Sequence, residues 1–127
     1  MKRKITITAT IFGMLSIILG AFGAHALKKM LTIEQLSTFE TGVKYQMYHA
    51  LFLLFVGLSS ISEKAKKAIY YLVVFGILFF SGSIYLLATK YVTQLDFNLI
   101  GILTPIGGLL FILAWIVLLI NFIQKKS

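Results

Sequence analysis

Glu40-Thr-Gly-Val-Lys-Tyr-Gln-Met-Tyr-His49 carries a polar, helix-compatible segment into the apolar run that starts at Ala50, with no glycine or proline at the junction. It reads as a helix passing from water into lipid, with His49 about one turn inside the boundary. A second histidine, His25, closes the preceding apolar segment. Together these residues hold most of the unusual polar side chains, so a site, if there is one, is expected here.

Outward from this stretch, the composition is that of an integral membrane protein. The chain has 127 residues, of which 59% are hydrophobic and 13% charged; its mean hydropathy is +0.95. Soluble domains carry about a quarter charged residues. The length suits one domain spanning residues 1–127. A formal charge of +8 raises nucleic acid as a partner, but that needs basic residues gathered on one soluble face. Here they flank apolar segments, so no nucleic-acid partner is expected and the bilayer is. With no cysteine, disulfides, thiolate metal sites and thiol nucleophiles are excluded.

Four apolar segments, residues 5–27, 43–61, 68–88 and 99–123, approach the roughly 20 residues that cross a hydrocarbon core. Ala24-His25-Ala26 imitates a signal-peptidase site, yet the apolar stretch before it exceeds the ~7–15 residues of a signal core. Gly13, Ser16, Gly20 and Gly23 or Ala24 form a ridge of small residues, which lets helices approach closely in lipid and offers a surface for self-association. Between the first two spans, Thr32-Ile-Glu-Gln35 has capping-box spacing, and Leu36, Phe39 and Val43 share a face. A short amphipathic extracellular helix is expected there. Residues 63–67 read as a charged hairpin connection and residues 90–98 as a polar loop. Pro105 marks a slight kink in the fourth span rather than an end. The fold class is all-α, a four-transmembrane-helix bundle.

Alternating spans place Lys2, Arg3, Lys4, Lys64, Lys66, Lys67, Lys125 and Lys126 on one side, and Lys28, Lys29, Lys44 and Lys90 on the other. By the positive-inside rule both termini are cytoplasmic in a multi-pass plasma-membrane protein. The same placement gathers His25, Tyr45, Gln46, Tyr48, His49, Ser81, Ser83 and Thr104 near one depth in the outer leaflet. Polar groups in hydrocarbon are costly when unpaired, so these should face each other or a wet cavity. His49 is spaced to bond Tyr45 or Gln46 along its own helix.

The motifs Gly20-Ala-Phe-Gly-Ala-His25, Tyr45-Gln-Met-Tyr-His49, Phe80-Ser-Gly-Ser83 and Leu103-Thr-Pro-Ile-Gly-Gly108 resemble those of the small bacterial membrane proteins grouped as domain of unknown function 423, to which a eukaryotic transmembrane family is also similar. The resemblance covers nearly the whole chain. It implies a four-span protein of the bacterial plasma membrane and brings no settled activity, cofactor or catalytic residue.

Two histidines without cysteine, and without a carboxylate at ligand spacing, make a poor zinc set, so no metal or other cofactor is expected. No nucleophile with an adjacent base, phosphate loop or carboxylate pair appears, which leaves hydrolase and ATPase readings without support. The leading expectation is a non-enzymatic structural or accessory bundle acting through partners, lipids or self-association, with a homo-oligomer or a membrane protein as partner. The alternatives are a transporter or channel component moving a proton or small solute through an outward-facing polar pocket, and a redox carrier holding haem between His25 and His49.

Overall fold

The computed structural model describes residues 1–90 and 100–124. Among them the chain forms four long helices: α1 (Lys2–His25), α2 (Ile33–Leu58), α3 (Glu63–Ala88) and α4 (Ile100–Gln124). A 3-10 turn, Leu27–Lys29, links α1 to the start of α2. By length and composition, three helical segments are apolar enough to cross a membrane: Lys2–Lys29, Glu63–Ala88 and Ile100–Gln124. By that measure α2 is not.

Local chemistry explains the ends of these rods. Thr32 and Gln35 close a capping box, the Gln35 amide donating to Thr32 Oγ1 at 3.1 Å and the Thr32 amide to Gln35 Oε1 at 3.0 Å. From there α2 runs unbroken for 26 residues, roughly 39 Å at 1.5 Å per residue. The expected separate amphipathic helix is therefore the first part of α2. Nothing between Glu34 and Leu58 breaks a helix, since there is no proline and Gly42 and Gly57 each cost too little to end one. Residues 63–67 likewise form the first turn of α3 instead of a connection. Ser62 caps that turn, its Oγ accepting from the Ala65 amide at 3.1 Å. Helix α4 continues through Pro105. Apart from Lys90, the loop expected over residues 90–98 lies outside the described residues, as do Lys125 and Lys126.

Consecutive helices are antiparallel. Gly57 faces Ile5 and Gly23 faces Phe39 across α1 and α2; Gly76 faces Phe111 and Gly107 faces Phe80 across α3 and α4. Helix α2 packs along both α1 and α3, and α4 packs along α3, whereas α1 and α4 are not packed along one another. In cross-section α2 and α3 are thus the central pair, flanked by α1 and α4. The main core, with Ile5, Leu53, Val56, Ile69 and Val73 fully buried, fills the half near the start of α1. A smaller cluster of Leu27, Leu31, Phe39 and Ala88 closes the other end.

The ridge on α1 is used inside this assembly. Gly13 and Gly20 face Ala50 and Val43, and Ser16 is buried. It seats α2 and is not the exposed self-association surface expected from the sequence. The outward faces of α1 and α4 instead carry Ile7, Ile11, Ile17, Ile102, Leu109 and Ile116, all exposed. Large apolar side chains turned outward fit helices bathed in lipid.

Candidate functional site

Gly42, Gln46, His49, Leu53 and Val56 recur at steps of three and four along the buried side of α2. Because that side is pressed between two other helices, its polar members must find partners there. Gln46 does so at both ends of its amide. Its Nε2 donates to the Phe12 carbonyl of α1 at 2.9 Å, and its Oε1 accepts from the Tyr85 hydroxyl of α3 at 2.6 Å. One turn away, Ser81 Oγ donates to the Gly42 carbonyl at 2.8 Å. These bonds tie α1, α2 and α3 together at one level.

His49 makes a second clasp, between α2 and α4. Its Nδ1 lies 2.8 Å from the Tyr45 carbonyl and its Nε2 accepts from Trp115 Nε1 at 3.2 Å. A carbonyl only accepts and an indole N–H only donates, so this geometry takes the neutral tautomer with the proton on Nδ1. The ring stacks on Phe111, with centroids 3.6 Å apart and planes 10° apart. A third clasp joins α3 to α4 through the hydroxyls of Ser83 and Thr104; the same two groups also reach the carbonyls of Phe80 and Ile100.

Of the residues singled out from sequence, the fold thus draws Gln46, His49, Ser81, Ser83 and Thr104 into buried or half-buried contacts between helices. They form three separate clasps, one joining α1, α2 and α3, one α2 and α4, and one α3 and α4, not one common pocket. Tyr45 and Tyr48 remain 41% and 54% exposed and pack edge to face with each other. His25 is exposed at the end of α1. Level with His49 on α1 is Gly13, which faces Ala50, so the two imidazoles are separated by roughly 18 Å along the helix axes. The expected histidine pair is absent because α2 starts at Ile33, well before the span expected from residue 43, so His25 lies beside the start of α2 and His49 near its middle. With the proton on Nδ1, the lone pair that His49 could offer haem iron is on Nε2, and it is taken by the Trp115 indole N–H. Among the described residues no three His, Cys, Asp or Glu side chains converge as a metal set.

Two contributors went unseen in the sequence: Tyr85, which completes the Gln46 clasp, and Trp115, which completes that of His49. Weak signals existed. Tyr85 stands four residues after Ser81 and Trp115 four after Phe111, so each shares a face with a residue of its own clasp. Beside the His49 clasp lies an open crevice of about 280 Å³, lined by Tyr45, His49, Phe80, Gly108, Phe111, Ile112 and Trp115. Its walls are almost wholly apolar. Among the described residues no buried side-chain nitrogen or oxygen lacks a hydrogen-bond partner.

The profile of the family described as "Protein of unknown function (DUF423)" matches residues 19–108. The chain is similar to a UPF0382 membrane protein of Staphylococcus saprophyticus, 45% identical over 109 residues that cover 85% of this chain and 87% of the relative. A UPF0382 membrane protein of Haemophilus influenzae is 38% identical over 128 residues, covering 100% of this chain and 99% of its own. The UPF0382 inner membrane protein YgdD of Escherichia coli is 33% identical over 129 residues, covering 98% and 93%. No solved structure matches the chain.

Proposed function

From the premise that this chain belongs to the DUF423 family of membrane proteins of unknown function, we propose that it is a four-span, non-enzymatic bundle of the bacterial plasma membrane. It acts as a structural or accessory protein, through partners, lipids or self-association, and uses no cofactor. In this reading α2 is the remaining span. Two observations support that placement. Helix α2 is as long as its neighbours, and it lies antiparallel between α1 and α3, both apolar enough to span. Its modest hydropathy comes from Gln46, His49 and neighbouring polar residues. Gln46 and His49 are buried and fully bonded inside the bundle, so lipid does not meet them.

The observation that carries the accessory reading is the pairing of the polar layer, in which every buried side-chain nitrogen and oxygen among the described residues has a hydrogen-bond partner. A solute pathway needs open polar groups or a wet lumen, but here the central axis is occupied by the α2–α3 contact. Both termini are placed in the cytoplasm, in keeping with the gathering of Lys2, Arg3, Lys4, Lys64 and Lys67 at one end of the bundle.

The test is transport by the full chain in proteoliposomes, together with cross-linking in native membranes. The vesicles are expected to lose an imposed pH gradient no faster than empty ones, and cross-linking to recover the same membrane partner, or the chain itself, in repeated preparations. Gradient loss above that of empty vesicles, abolished in His49→Ala, would overturn the accessory reading in favour of transport.

A further inference from the structure

Because α1 and α3 run parallel, their starts meet at one end of the bundle and bring Lys2, Arg3, Lys4, Lys64 and Lys67 to the surface there. The neighbouring Lys66 turns inward instead, its Nζ donating to the Gly57 carbonyl at 3.2 Å near the end of α2. Glu63 is the acidic residue at this end, and its Oε2 stands 3.6 Å from the Met1 amine. Lys4 is placed with more definition than its neighbours. Its Nζ lies 5.1 Å from the centroid of the Tyr70 ring and 5.5 Å from that of Tyr71. The two rings meet edge to face, 5.2 Å apart. Tyr70 is anchored by a 3.1 Å hydrogen bond between its hydroxyl and Thr8 of α1, while Tyr71 is 41% exposed. Lys67 precedes this pair by three and four residues and so shares its face of α3.

We propose that the groove between the starts of α1 and α3 binds the headgroup of an anionic phospholipid. Lys4 and Lys67 take the phosphate, and the Tyr70–Tyr71 pair forms the wall at the level where headgroup gives way to hydrocarbon. Charge complementarity selects this occupant, since Lys4 stands over the aromatic pair, Lys67 shares its face of α3, and among the described residues no carboxylate is bonded to either lysine. Tyrosine rings favour that depth because they present an apolar body and a polar tip. Below the pair the groove continues as exposed Ile7 and Ile11 on α1 and Phe75 and Leu78 on α3, a track for acyl chains. The proposal names a lipid class for the accessory reading and rests only on its membrane placement, so its failure would leave the flux result untouched.

The full chain, purified from vesicles of mixed phosphatidylglycerol and phosphatidylcholine, is examined by native mass spectrometry for retained lipid. Phosphatidylglycerol is expected to be retained in preference, and Lys4→Gln and Lys67→Gln each to lower that preference about fivefold, the effect of one cation near a membrane surface. Lys2→Gln makes the same change of charge on nearly the opposite side of α1 and is expected to leave retention unchanged. Helicity by circular dichroism checks that each variant is folded. Equal retention of the two lipids, or a loss in Lys2→Gln as large as in Lys4→Gln, would overturn the site. So would inorganic phosphate alone displacing the bound lipid.

Discussion

At Gln46 a single side chain settles how three helices meet, because its amide offers a donor and an acceptor in opposite directions and both are taken. Gln46→Ala removes both bonds and strands the Tyr85 hydroxyl in a half-buried site. The expected cost is about 1–3 kcal/mol of bundle stability, read as a shift in the unfolding midpoint of the detergent-solubilised protein. Tyr85→Phe loses one of the two bonds and should fall between Gln46→Ala and the parent; a Gln46→Ala protein as stable as the parent would show the clasp to be inert. At this scale the sequence told which residue types were anomalous in an apolar helix. It put His49 within reach of Tyr45, whose carbonyl the ring meets, but not of Trp115, which is 66 residues away with nothing local to connect them.

Helices are decided by a mixture of near and far causes. The Thr32 capping box sets the start of α2 from four adjacent residues, which is why it was legible before any fold was known. The approach of α3 to α4 is of the other kind. A Cβ on Gly107 would run into the Phe80 amide nitrogen, with Phe80 Cβ 2.7 Å away, whereas a Cβ on Gly101 would meet nothing within 4 Å among the described residues. Gly107→Ala must therefore push two backbones apart, at an expected cost of about 1–3 kcal/mol or more. Gly101→Ala should be neutral or slightly stabilising, since alanine favours a helix more than glycine does. Thermal unfolding of the two variants side by side checks the contrast, and equal effects would mean that the helices have room to spare. In the sequence these glycines look alike. Only the crossing of α3 and α4 tells them apart.

Taken whole, the molecule is a central antiparallel pair, α2 and α3, flanked by α1 and α4. In the proposed four-span reading the least apolar helix shares the depth of the others, because it holds the interior position where its polar residues find partners. Four spans have a checkable consequence. A green fluorescent protein fused after Ser127 should fluoresce, and alkaline phosphatase at the same place should be inactive. The reverse pattern would put the C-terminus outside, through an odd number of crossings with α2 out of the membrane or through an inverted bundle, and either outcome overturns the proposed topology.

The sequence alone determined that this is an all-helical membrane protein, roughly where three of its helices run, how α2 begins and which family it belongs to. Those features follow from local composition, capping chemistry and motif order, each carried by residues close together in the chain. Tertiary structure alone decided that the polar residues form three separate clasps, that His25 and His49 are apart, and that the ridge on α1 is buried against α2. Hydrogen-bond partners and glycine contacts depend on the register between antiparallel helices. That register is set by packing along the whole length of the rods, which no short stretch of sequence encodes.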